Sequence, residues 1–179
     1  MSDKTPEKGL ETAVIAMGSN IPDRMMYLQC GLDGWKSVDS VEIIAISRIF
    51  ESPPLGERLE GEFLNMVIVL KTSFSPESLL DKCREIEAGC GRERLHERKS
   101  DYPRNRTLDC DVIFYGDAEI KTERLAVPHP GWQNRTFVVM PLNDVIEHLT
   151  PHQKGLVKNA TKSPNLAPTS CRPVGNMLD

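Results

Sequence analysis

Phe63-Leu-Asn-Met-Val-Ile-Val-Leu-Lys-Thr72 is the stretch on which the fold turns. Its aliphatic, β-branched run reads as the clearest strand in the chain. Directly after it, Ser75-Pro-Glu77 supplies a capping hydroxyl and a proline for a first helical position. Leu79, Leu80, Cys83, Ile86 and Cys90 then share one face of the helix that follows. Upstream, residues 41–50 are again β-rich and stop at Ser52-Pro-Pro-Leu-Gly56, because each proline lacks a donor and disfavours helix at the residue before it. Further back, Met25, Leu28, Leu32 and Trp35 recur at helical spacing with Pro22 suited to the first turn. Before them, Thr12-Ala-Val-Ile-Ala-Met17 reads as a strand entering the turn Gly18-Ser-Asn20. Downstream, residues 91–106 are polar and unpatterned and predict a long loop. Residues 108–115 form another strand closed by Gly116-Asp117, and Val127-Pro-His-Pro-Gly131 is a second proline-built loop. The resulting order β-α-β-β-α-β predicts an α+β, ferredoxin-like sandwich: a largely antiparallel sheet with helices packed on it.

Composition sets the frame for this fold. A chain of 179 residues and 20.1 kDa with 39% hydrophobic side chains is long enough to bury a core without disulfides or a structural metal. No apolar run approaches the ~20 residues of a membrane span, and the polar start lacks a signal-peptide layout, so a cytoplasmic protein off the membrane is expected. Five cysteines, odd in number and nowhere spaced C-x-x-C, favour neither a disulfide framework nor zinc, and most are expected to serve as small core hydrophobes. The expected organisation is an extension at residues 1–11, one domain at 12–150, and a loose polar tail at 151–179. A net charge of −4 argues against nucleic acid as a partner.

Three clusters point to chemistry. In Arg106-Thr-Leu-Asp-Cys-Asp-Val-Ile-Phe114, Asp109 and Asp111 project from one strand face while Leu108, Cys110 and Val112 take the other. Two carboxylates so placed repel unless a cation lies between them, and such a sparse set of hard oxygens suits magnesium with phosphates and water completing its shell. Around them, between residues 92 and 106, Arg92, Arg94, Arg98, Lys99, Arg104 and Arg106 oppose only Glu93, Glu97 and Asp101, a local +3 that reads as a phosphate clamp. Taken singly, a solvated charged loop and an exposed D-x-D face explain the same residues. Phe63 and Asn65 share a strand face and offer a flat heterocycle a stacking surface and a carboxamide. The chain has no G-x-x-x-x-G-K-[ST] and no G-x-G-x-x-G, which excludes a P-loop and disfavours a Rossmann site.

The order of these pieces resembles one family. Ala16-Met-Gly-Ser-Asn20, Ser52-Pro-Pro-Leu-Gly56, Phe63-Leu-Asn65, Ile86-Glu87 with Gly91-Arg-Glu-Arg94, Arg106-Thr-Leu-Asp-Cys-Asp111, Glu123-Arg-Leu-Ala-Val-Pro-His129 and Asn134-Arg-Thr-Phe137 are similar to the motifs of the 6-hydroxymethyl-7,8-dihydropterin pyrophosphokinases of folate biosynthesis. The resemblance implies transfer of pyrophosphate from ATP, the co-substrate, to the hydroxymethyl pterin, with release of AMP. It places two Mg2+ ions on Asp109 and Asp111. It puts the pterin between Phe63 and Phe137, read at its edge by Ser52, Pro53, Leu55 and Asn65 and neighboured by Asp109. It sets Glu87, Arg94, Arg106, Val112, Arg124, His129 and Arg135 along ATP, and it assigns Arg92 and Arg106 to a mobile catalytic lid. ATP and the pterin are the implied partners of a monomer, with room for association with neighbouring folate-pathway enzymes. The chain departs from the family in lacking the tryptophan before Arg106, where Tyr102 is the nearest aromatic, and in carrying Arg84, Ala126 and Pro130 at motif positions. The altered lid motivates the competing reading, a catalytically weakened pterin- or nucleotide-binding relative.

Overall fold

The structure, a computed structural model, describes residues 9–54, 61–93, 105–166 and 170–177. Its centre is β1 (Glu11–Ser19), hydrogen-bonded on one side to β4 (Phe63–Thr72) and on the other to β5 (Asp109–Tyr115), both antiparallel. The far side of β4 is shared by β2 (Val41–Ile46), at its end, and β3 (Ile49–Ser52), at its start. The residues expected to form one strand, 41–50, are therefore two, broken at Ser47-Arg48. With α1 (Arg24–Lys36) crossing from β1 to β2 and α2 (Pro76–Gly89) from β4 to β5, this is the expected α+β order of a ferredoxin-like sheet.

The cores explain the strands. Met17, Leu64, Met66, Ile68, Cys110 and Val112 point to the face covered by α1 and α2, where Leu28, Leu32, Trp35, Leu79, Cys83 and Ile86 meet them. Ser75 caps α2 as its sequence predicts, accepting from the Ser78 N–H with Pro76 in the first turn. The stripe of α1 is corrected at one position: Met25, in the first turn of the helix, is 44% exposed, while Leu28, Leu32 and Trp35 are buried. Gly34 lets α1 approach α2 closely. A Cβ there would lie 2.9 Å from Ile86 Cγ2, so Gly34→Ala is expected to lose about 1–2 kcal/mol in urea unfolding, despite alanine's better helix propensity.

A second helical layer was not legible. α3 (Thr136–Asp144) and α4 (Pro151–Thr161) cover the other sheet face, packing Val138, Val139, Leu142 and Val157 against Val14, Val67, Val69, Ile113 and Phe114. The loose tail expected from residue 151 is thus corrected. Thr150 and Gln153 form a reciprocal capping box around Pro151, and β8 (Arg172–Gly175) returns to pair with β3. The two-residue strands β6 (Ile120–Lys121) and β7 (Ala126–Val127) make a small hairpin before the cis Val127–Pro128 bond. The cysteine expectation is corrected too. Cys30 of α1 and Cys90, at the end of α2, form a disulfide across 60 residues of sequence, which no local spacing reveals. Cys83 and Cys110 are buried thiols, as expected of core cysteines.

Candidate functional site

β1 ends between the two strands that carry the predicted chemistry. In register, Gly18 lies opposite Asn65 on β4 and opposite Asp109 on β5, so these three residues form one row across the sheet. Residues in such a row share a face, and strands lie about 4.8 Å apart, which sets Asp109 and Asn65 roughly 10 Å from each other with only a glycine between. A Cβ on Gly18 would stand 3.2 Å from Asn65 Oδ1 and 3.8 Å from Phe63 Cδ1. The glycine therefore leaves the floor of the cleft open.

On the Asn65 side, the carboxamide is buried and donates from Nδ2 to Ser52 Oγ at 3.0 Å, joining β4 to the last residue of β3. Ser52 is opposite Phe63, which is half-buried, and Pro53 follows at the cleft edge. Phe137 sits in the first turn of α3, half-buried against the second core. Leu55 lies outside the described residues.

On the Asp109 side, the carboxylate is held by two arginines. Arg92 Nη1 donates to Asp109 Oδ1 at 2.5 Å and to the Leu108 carbonyl at 3.1 Å, and Arg106 Nη1 pairs with Asp109 Oδ2. Burial works to raise this carboxyl, but Arg106 and Arg92 outweigh it and hold it below its ordinary value. Arg92 also donates to Glu87 Oε1 at 2.7 Å, and that same oxygen accepts the Cys110 N–H at 2.8 Å. β5 is the edge of the sheet, so Glu87 takes the place of a further strand there. Glu87 is fully buried beneath Arg92, and Arg92, with its side chain 6% exposed, is packed behind Asp109. Arg94 lies outside the described residues.

Asp111, two residues on, shares the face of Asp109 but has weaker partners. His129 Nε2 is 3.8 Å and Arg135 Nη1 4.0 Å from its Oδ2. Partial burial, then Asp109, push its carboxyl up to about 6, with Arg135 pulling the other way. Burial, followed by Arg135, lowers the His129 imidazole, which keeps it neutral near pH 7. The His129 N–H donates to the Ile113 carbonyl at 3.0 Å, fixing this proline-flanked residue against β5. Beside Asp111 opens a groove of about 290 Å3 whose walls include Leu80, Val112, Leu125, His129 and Pro130. Arg124 is on its rim and is paired with Asp81 of α2. Val112 forms both groove wall and core.

The residues present fit a divalent cation with open coordination. Among the described residues no group of three or more His, Cys, Asp and Glu is gathered as a metal cage. Magnesium, however, uses one or two carboxylates and takes its other ligands from phosphates and water. The raised Asp111 carboxyl marks a place where negative charge lacks compensation, and each Asp109 oxygen retains a lone pair beyond its arginine.

One residue that sequence reasoning left without a role belongs to this site. Asn20, read from the sequence only as the end of a turn, has its Oδ1 accept the Arg106 N–H at 2.7 Å, its Nδ2 donate to Asn105 Oδ1 at 2.7 Å, and its own N–H donate to the Arg106 carbonyl at 3.2 Å. Asn20 thereby ties the end of β1 to the arginine that pairs with Asp109. The signal was Gly18-Ser-Asn20 at a strand end, but nothing local says which backbone the amide will meet.

A carboxylate pair ringed by arginines lies at the open end of an antiparallel α+β sheet and next to a groove, an arrangement whose chemistry suits a polyanion held through a cation. The sequence pattern of the 7,8-dihydro-6-hydroxymethylpterin-pyrophosphokinase (HPPK) family matches residues 14–147. The 2-amino-4-hydroxy-6-hydroxymethyldihydropteridine pyrophosphokinase of Haemophilus influenzae is 32% identical over 151 residues, 84% of this chain and 91% of that one. The Aquifex aeolicus protein of that name is 37% identical over 136 residues, 76% and 81% of the two chains. Among solved structures, the Plasmodium falciparum HPPK-DHPS protein superposes with a TM-score of 0.64 at 14% identity, covering 94% of this chain and 50% of that one. This chain belongs to the HPPK family.

Proposed function

We propose that this protein transfers the β,γ-pyrophosphoryl group of ATP to the hydroxymethyl oxygen of 6-hydroxymethyl-7,8-dihydropterin, releasing AMP, as its family does in folate biosynthesis. The observation that carries this reading is the row Asp109–Gly18–Asn65, which sets a phosphate-side carboxylate and a heterocycle-reading carboxamide on either side of a gap. The pterin lies over Gly18, edge-on to Asn65 and Ser52 and flanked by Phe63, Pro53 and Phe137; by the family resemblance Leu55 also contributes to reading it. ATP occupies the groove at Val112 and Leu125 with its phosphates toward Asp111, His129, Arg135 and Arg106, while Arg124 contributes from the rim; by the family resemblance Arg94 also binds ATP. Asp109 and Asp111 would hold two Mg2+ ions, which would supply neutralisation of the phosphate charge. The chain's own residues do the rest. Arg106 and Arg135 offer fixed cations to charge developing on the transferred oxygens, and neutral His129 donates a hydrogen bond without adding charge. Arg92 and Glu87 act from behind by fixing Asp109.

Incubation with magnesium, ATP and the pterin is expected to yield AMP one-for-one with pterin pyrophosphate; ADP as the nucleotide product would refute the mechanism. Tight binding of both substrates in calorimetry with no AMP in a single turnover would instead select the weakened relative. The row predicts a further result. Gly18→Ala crowds Asn65 and is expected to raise the pterin KM about tenfold, while the ATP KM stays within about twofold.

No helix among the described residues is long and apolar enough to cross a membrane. We propose further that the protein works as a monomer in the cytoplasm and passes its product to neighbouring enzymes of the folate pathway. The Cys30–Cys90 disulfide is of a kind unusual in that compartment.

A further inference from the structure

The C-terminal strand meets the sheet at the pterin side of the cleft. β8 pairs antiparallel with β3, placing Arg172 opposite Glu51 and Pro173 opposite Phe50. Pro173, without a backbone donor, suits this position on an outer strand. Glu51 is only 8% exposed, and its two oxygens take one arginine each: Arg172 Nη2 at 2.6 Å from Oε2 and Arg24 Nη2 at 3.0 Å from Oε1. Arg24, the first residue of α1, also donates from Nη1 to the Glu62 carbonyl at 2.7 Å. Glu51 immediately precedes Ser52, and Glu62 immediately precedes Phe63. The chain Arg172–Glu51–Arg24–Glu62 therefore fastens both ends of the β3–β4 connection, where Ser52 and Phe63 face one another and Ser52 receives the Asn65 amide.

We propose that β8, through Arg172 and Glu51, is a positioning element for the pterin half of the site, setting the spacing of Ser52, Phe63 and Asn65 and hence the affinity for a flat, amide-edged heterocycle. This rests on the assignment of those three residues to the pterin. The effect is selective because of topology. In the strand order β5-β1-β4-β3-β8, the Asp111, His129 and Val112 side of the cleft lies at the opposite edge, three strands removed from β3. A buried carboxylate that loses one of two cations draws the other toward it, and Arg24 then pulls on the Glu62 carbonyl next to Phe63. Arg172 itself is 67% exposed, so its loss leaves the fold in place and acts through this tie.

The test compares the full-length protein with Arg172→Ala, Arg172→Glu and Arg172→Lys. Steady-state constants for both substrates are measured, together with equilibrium titration of the hydroxymethyl pterin alone by its fluorescence. Arg172→Ala is expected to raise the pterin KM and dissociation constant about three- to fivefold, and Arg172→Glu, which sets two carboxylates side by side, about tenfold or more. The ATP KM and kcat should stay within about twofold, and Arg172→Lys should recover most of the loss. Equal pterin affinity in all four proteins overturns the inference, as does a parallel rise in the ATP and pterin constants. A wild-type protein that binds no pterin overturns the proposed function along with it, whereas wild-type binding with no response to Arg172 overturns this inference alone.

Discussion

Asp111→Ala is expected to lower kcat by about a thousandfold or more, measured as AMP release at saturating ATP and pterin. Asp111 is the less compensated member of the carboxylate pair, facing His129 and Arg135 only at 3.8 and 4.0 Å. Without it, phosphate charge has no cation anchored on this side of the cleft. The same geometry predicts an opposite effect on stability. A carboxyl pushed up to about 6 costs the fold free energy when ionised at neutral pH, so the metal-free Asp111→Asn protein should melt at or above the wild-type temperature. Added magnesium should raise the wild-type melting temperature and leave that of Asp111→Asn unmoved. A variant that turns over at the wild-type rate, or one still stabilised by magnesium, would contradict the cation role.

The second large effect falls on stability and reaches the chemistry indirectly. Glu87→Ala removes the carboxylate that Arg92 and the Cys110 N–H share, leaving a buried guanidinium with one anion fewer and a backbone donor on the sheet edge without its acceptor. The expected cost is about 3 kcal/mol, which for a domain of this size corresponds to roughly 6–12 °C in melting temperature. kcat should fall with it, because Arg92 then no longer fixes Asp109. Glu87→Gln keeps an acceptor for Cys110 but not the charge, and its melting temperature should lie between the two. Differential scanning calorimetry of the three proteins decides the matter; no change in Glu87→Ala would remove Glu87 from the support of the site.

What sequence reasoning reached depends on where the information is stored. β4 was legible because an aliphatic run bounded by turn residues leaves few alternatives, and α2 because Ser75-Pro76 writes its start into the chain. The face shared by Asp109 and Asp111 follows from strand periodicity alone. α3 was not legible. Thr136-Phe-Val-Val-Met-Pro141 is rich in residues that favour strands and contains a proline, and it is helical because that face of the sheet needs covering by Val138, Val139 and Leu142. α4 did carry its signal, in Thr150-Pro-His-Gln153, but its polar composition outweighed it. For the site, residue types were readable and directions were not. Arg92 and Arg106 looked alike as members of one basic run, yet one is buried behind Asp109 and the other is partly open to the cleft. That difference arises from Glu87 on another element, which spacing along the chain cannot reveal. The disulfide and the return of β8 are likewise long-range facts.

The outer edge of β5 has one more consequence. An unpaired strand edge is a template on which a second molecule can add its own strand, and such additions begin many aggregates. Here the Glu87 carboxylate occupies the Cys110 N–H, Arg92 the Leu108 carbonyl, and the His129 N–H the Ile113 carbonyl, so the edge offers an approaching chain few free groups. The side chains that steady the reaction centre are thus also what keeps one copy of the protein from growing onto another, and changes that loosen them should cost solubility as well as turnover.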